Sequence, residues 1–106
     1  MHTRQYDTAA DSLLTGDERA QLEFSIASNP QAHSVIPGVA GARKARWGRT
    51  GLGKRGGIRV IYYYAVKWET VLLIAAYAKN VQENIGNDQK KAIRQLVQEF
   101  EKSFSG

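Results

Sequence analysis

Lys44, Arg46 and Arg59 are the residues of this 106-residue chain whose types and spacing best suit chemistry. A spacing of two puts Lys44 and Arg46 on one face of an extended strand. Arg59 follows Gly56-Gly57 and opens the run IRVIYYYAVK, where it shares a face with Ile61, Tyr63 and Ala65. If the two strands pair, three cations converge on one patch of sheet, and Lys79, after the strand TVLLIAAYA, is placed to join them. Folding alone has no use for such repulsion; a convergent cluster of this kind awaits a phosphate. The charge map agrees. Residues 29–68 carry Arg43, Lys44, Arg46, Arg49, Lys54, Arg55, Arg59 and Lys67 without one acid, a net +8, whereas residues 1–28 sum to −3. An acid-free stretch implies a polyanionic partner, with nucleic acid first and an acidic protein second. Arg43, Arg49, Lys54 and Arg55 are accordingly read as RNA-binding.

Other chemistries find little support. The chain has no Cys, which removes disulfides, thiol catalysis and Cys-ligated metals. His2, at the terminus and read as frayed, and His33, in a loop, show no metal-ligand spacing, and no metal or cofactor is expected. Gly51-Leu52-Gly53-Lys54-Arg55-Gly56 matches a dinucleotide fingerprint and Gly48–Lys54 a P-loop on paper. Both motifs need a helix to follow, and here a strand follows. With no carboxylate between Glu23 and Glu69, proton transfer and charge stabilisation in the basic centre fall to cations, Tyr, Asn and backbone amides.

The elements that must position these groups are legible from periodicity. Tyr6, Ala9, Ala10, Leu13 and Leu14 form a short helical stripe. Thr15 and Glu18 have capping-box spacing and open a second helix through Leu22 and Ile26, which Asn29-Pro30 ends. Residues 31–41 read as a loop, 42–47 as a short strand, and 48–57, half of them Gly, as a Gly-rich loop. Strands follow over 58–67 and 70–78, joined as an antiparallel hairpin by Trp68-Glu69. Trp47, Tyr62, Tyr63, Tyr64 and Trp68 read mainly as core and cross-strand packing. Asn87 is the expected N-cap of a last amphipathic helix carrying Ile93, Leu96, Val97, Phe100 and Phe104. The expectation is a single α+β domain over residues 1–106, with a small antiparallel sheet of three to four strands packed against two N-terminal helices and one C-terminal helix. An apolar share of 42% against 24% charged excludes a disordered chain. No apolar run is long enough to span a bilayer and no secretory leader is visible, so a cytoplasmic location is expected.

The segment RKARWGRTGLGKRGGIRVIYYY followed by LLIAAYAKNVQEN resembles the HigB-type branch of the RelE/ParE toxin superfamily. That branch shows an R-K-x-R-W segment, a G-x-G-K-x-G-G-x-R-V-I-Y-Y loop-strand and a Y-A-K-N turn, and residues 28–38 and the last helix fit as well. The resemblance implies a toxin of a type II toxin–antitoxin system, a metal-independent endoribonuclease that cleaves mRNA in the ribosomal A site. It implies a helix-turn-helix antitoxin as partner, and the free toxin is expected to be monomeric. Its active-site positions resemble Lys44, Arg46, Arg59, Lys79 and Asn80. In that chemistry the 2′-OH of RNA is the nucleophile. Arg46 and Arg59 suit the phosphorane charge, and either Lys44 or Lys79 the proton transfers. This sequence departs from its relatives at Ala40, Ala42 and Ala45, where Gly or larger aliphatics are more usual. A gyrase-targeting toxin of the same fold, or a passive RNA- or ribosome-binding module, are the alternative functions.

Overall fold

Two threonines start the molecule's first two helices. Thr3 Oγ1 accepts from the Tyr6 amide and caps α1 (Arg4–Leu13). Thr15 and Glu18 form the expected capping box at the head of α2 (Gly16–Ser28). The computed structural model describes residues 1–49, 53–82 and 84–105, of which 49, 53–56 and 105 by backbone alone. Four strands, β1 (Ser34–Val35), β2 (Arg43–Arg49), β3 (Gly53–Ala65) and β4 (Thr70–Ala78), form one antiparallel sheet in the order β1-β2-β3-β4. Helix α3 (Asn87–Ser105) closes the chain. No described helix is long and apolar enough to cross a membrane.

Both faces of the sheet are covered. Ile58, Val60 and Tyr62 pack with Leu73 against Tyr6 and Ala10 of α1 and Leu22 and Ile26 of α2. Ile61, Ala65, Leu72 and Ile74 pack on the other face against Ile93, Val97 and Phe100 of α3. The alternation expected for the central strand is therefore the alternation found. In the β3–β4 ladder Ile61 faces Ala75 but Tyr62 faces Leu73, so Ile74 is a bulge residue. That bulge turns both Ile74 and Ala75 toward α3.

Several local expectations need correction. The segment 48–57 is not a loop throughout: β2 runs to Arg49 and β3 starts at Gly53, with Arg49 facing Gly53 beyond an irregularity after Trp47. Backbone pairing there outweighs the poor strand propensity of Gly. The segment read as a loop at 31–41 contains β1. Strand β3 ends at Ala65, because Val66–Trp68 form a 3₁₀ turn and Glu69 takes a left-handed conformation at φ 47°. The N-cap of α3 is Gly86 rather than Asn87, since the Gly86 carbonyl already accepts from Lys90 N at 2.9 Å. The N-terminus is not frayed. Met1 and Thr3 exchange backbone bonds with Val71 and Leu73 at 2.8–3.0 Å, and Thr3 Oγ1 donates to Ile74 O, so residues 1–3 lie as a short parallel bridge along β4.

The acidic surplus of the first 28 residues is gathered around Arg19. Its guanidinium donates to Glu23 and Asp11 at 2.8 Å and to Asp7 at 2.5 Å, and it lies 5.3 Å from the Tyr6 ring centre. Tyr6 Oη donates to Glu23, and His2 Nδ1 to Asp7. The hydrogen bond from Arg19, helped by the one from His2, holds the Asp7 carboxyl below its ordinary value of 3.8. A carboxyl depressed by folding stabilises fully above its unfolded value and loses that contribution as pH falls through its folded one. The melting temperature should therefore hold from neutral pH to about pH 5 and fall below 3.8. The gap between the parent and an Arg19→Met variant should narrow over the same window in thermal melts. A gap constant with pH would show that Asp7 and Arg19 are not coupled.

Candidate active site

Register brings the sequence-selected cations together. Across β1, β2, β3 and β4, one row reads Ser34, Lys44, Ile61, Ala75, and the next reads Arg46, Arg59, Tyr77. Directly paired antiparallel residues share a face, so Lys44, Arg46 and Arg59 stand on the face that α3 covers. Cover is incomplete. Helix α3 descends from Ile93, near Ile74–Tyr77, to Phe104, which stacks on Trp68 at 4.7 Å. The face beyond its first turn is open. There a cavity of about 330 Å³ is lined by Ser34–Pro37, Lys44, Arg46, Asn84, Ile85 and Lys90. A second, of about 490 Å³, shares Lys44 and Arg46 with Ala32, His33 and Ser34. Neither lining includes a carboxylate among the described residues.

Arg59 is buried, at 8% exposure. Its one hydrogen bond among the described residues is a long 3.5 Å contact to Ile58 O. It pairs with Arg46 on one side and Tyr77 on the other, and not with Glu69. A guanidinium opposite another cation, mostly removed from water and with most of its donors unused among the described residues, is poised for an anion. Burial pushes the Tyr77 phenol above its ordinary value, partly offset by Arg59. Lys44 Nζ donates to Asn84 Oδ1 at 3.3 Å.

The remaining selected residues sit elsewhere. Arg43 pairs with Tyr62 and so belongs to the opposite face, where its Nη1 donates to Gln31 O and His33 O and holds the loop before β1. Lys79 follows the end of β4, its amide bonded to Gly57 O, and Asn80 is exposed in the next turn. Strand spacings place the Lys79 Cα about 8 Å from that of Arg59 but about 17 Å from that of Lys44. Three cations therefore converge, with the fourth at the rim. The side chains of Arg49, Lys54 and Arg55 lie outside the described residues. The tyrosines and tryptophans are used internally: Tyr62 Oη donates to Pro30 O, Tyr63 Oη to Glu101, and Trp47 and Tyr64 edge the α1–α2 side of the core.

Sequence reading missed Tyr77, Asn84 and Lys90. Two signals were available. Tyr77 stands two residues after Ala75 on the strand facing Arg59, and Lys90 stands three residues before Ile93, hence on the inner side of its helix. Asn84 lies in an irregular segment with no period to place it.

The profile of the RelE toxin of the RelE/RelB toxin–antitoxin system matches residues 38–105, which span the cationic strands, Tyr77, Asn84 and Lys90. With this match over most of its length and the α+β fold described above, the chain belongs to the RelE toxin family and is a toxin of a toxin–antitoxin system.

Proposed function

We propose that this toxin is a ribosome-dependent endoribonuclease of the HigB type, a single-domain protein of the cytoplasm that cuts mRNA in the ribosomal A site. The observation that carries this reading is that Lys44, Arg46 and buried Arg59 share one sheet face, with Lys44 and Arg46 lining a cavity that holds no carboxylate among its described residues. The RNA 2′-oxygen attacks the adjacent phosphorus, the bond to the 5′-oxygen breaks, and a 2′,3′-cyclic phosphate and a 5′-hydroxyl result. Arg59 and Arg46 bind the non-bridging oxygens as charge builds. Lys44 or Lys79 takes the 2′-proton and another donor protonates the leaving 5′-oxygen. Asn80 and the basic residues Arg49, Lys54 and Arg55 extend the contact to RNA. A site without His or carboxylate gains most from a substrate oriented by the ribosome, because positioning supplies about 7–11 kcal/mol of a barrier. A helix-turn-helix antitoxin silences the otherwise monomeric toxin by covering the cationic face or blocking ribosome docking.

The test is induction in growing cells with mapping of mRNA 5′ ends, alongside binding to purified ribosomes across a salt series. New 5′-hydroxyl ends inside translated codons are expected. Three phosphate contacts predict that log K falls with log salt at a slope of about −2. Intact mRNA with inhibited gyrase, or a flat salt response, would overturn the reading.

A further inference from the structure

We infer that Asn84 is a positioning residue that holds the Lys44 ammonium over the cationic patch without neutralising it. The inference rests on the nuclease reading above. Asn84 belongs to the connection between β4 and α3, and Gln82 and Gly86, on either side of it, are tied to a single atom. Gln89 Oε1, in the first turn of α3, accepts from Gln82 Nε2 at 2.5 Å and from Gly86 N at 2.8 Å. Gln82 Nε2 also donates to Asn84 O at 2.9 Å. The helix thereby holds Gln82, Asn84 and Gly86, and Asn84 Oδ1 accepts from Lys44 Nζ beside the cavity that both residues line. A four-carbon lysine stem is otherwise free to take many rotamers, and one acceptor removes much of that freedom.

The identity of the acceptor matters as much as its place. The charged and titratable groups described around Lys44 are Arg46 on its own strand, Arg59 one row along on β3, Lys90 on α3 and His33, which shares the second cavity; β1 adds Ser34 and β4 the phenol of Tyr77. No carboxylate is among the described residues of either lining. An amide oxygen directs the ammonium by a hydrogen bond yet leaves it free to give up a proton. An aspartate in its place would direct it equally well and lock the proton on.

Two readouts test this, one independent of catalysis. Nitrogen-15 NMR of the lysine ammonium groups reports how ordered Lys44 Nζ is in the free toxin. Order is expected in the parent, lost in Asn84→Ala and Gln89→Ala, and kept in Asn84→Asp and in Gln89→Glu, whose carboxylate still accepts both bonds. Single-turnover cleavage on programmed ribosomes should slow on the order of 10²-fold for Asn84→Ala with ribosome affinity unchanged. Asn84→Asp should instead move the lysine-dependent limb of the pH–rate profile upward by about one unit. Unchanged Lys44 order in Asn84→Ala, or an unmoved profile in Asn84→Asp, would overturn the inference. A Lys44→Met toxin that still cleaves would instead overturn the catalytic assignment of Lys44.

Discussion

Arg59→Met should give a protein that no longer cleaves mRNA and melts at a higher temperature than its parent. The loss follows from the charge that Arg59 is placed to meet. Removing one preorganised donor to a developing oxyanion costs about 10²–10³ in kcat, or about 2.7–4 kcal/mol. The gain in stability follows from burial. Arg59 is 8% exposed, faces Arg46 across the ladder and has one 3.5 Å hydrogen bond among the described residues, so the folded state bears both desolvation and like-charge repulsion. Methionine keeps most of the packed stem and removes the charge. About 1 kcal/mol of relief would raise the melting temperature of a domain this size by about 4–8 °C. Arg59→Lys should recover only part of the activity, because a point charge cannot reproduce the two-pronged contact. Cleavage on ribosomes and thermal melts of the three proteins decide the matter. A fully active Arg59→Met protein would remove Arg59 from the mechanism. An inactive one that melts below its parent would show that Arg59 has a structural task as well.

Phe100→Ala should lose about 3–5 kcal/mol, a large share of what holds a small domain together. Phe100 is buried among rings. It meets Tyr63 edge-on at 6.3 Å and Phe104 edge-on at 5.0 Å, and Phe104 in turn stacks on Trp68. This group attaches the far half of α3 to the sheet, while the near half carries Lys90 and the Gln89 contact that sets Asn84. Cleavage should therefore fall even at temperatures where far-ultraviolet dichroism still reports a folded sheet. Phe24→Ala, on the outer side of α2 at 74% exposure, should change stability by less than about 0.5 kcal/mol. Urea unfolding of the two variants compares them directly. Equal losses would mean that the aromatic group does not anchor α3.

The parts of this molecule that follow a period could be read from its residues. The stripe from Tyr6 to Leu14, the box at Thr15 and Glu18, and the two faces of residues 58–65 all returned in the structure, because each depends on neighbours at fixed spacing. That Lys44 and Arg46 share a sheet face with Arg59 was legible for the same reason. What escaped depends on contacts distant in sequence. Burial of Arg59 goes with its place on a central strand, between Arg46 of β2 and Tyr77 of β4. Arg43 and Lys44 are adjacent residues, yet one holds a loop and the other faces the cavity, which charge counting alone does not separate. Asn84 gains its place only from Gln82 and Gln89, and the pairing of residues 1–3 joins positions some 70 apart.

That pairing along β4 bears on how the sheet meets other copies of itself. A sheet with two bare edges adds strands at both and grows without limit, which is the geometry of fibres. Here residues 1–3 pair with Val71–Leu73 and shorten the free edge of β4, while β1, two residues long, covers Arg43 and Lys44 and shortens that of β2, among the described strands. The uncovered part of β2 carries Arg46, whose charge repels the same edge of a second copy. Short caps and a charged margin together discourage strand-by-strand growth, at little cost in residues.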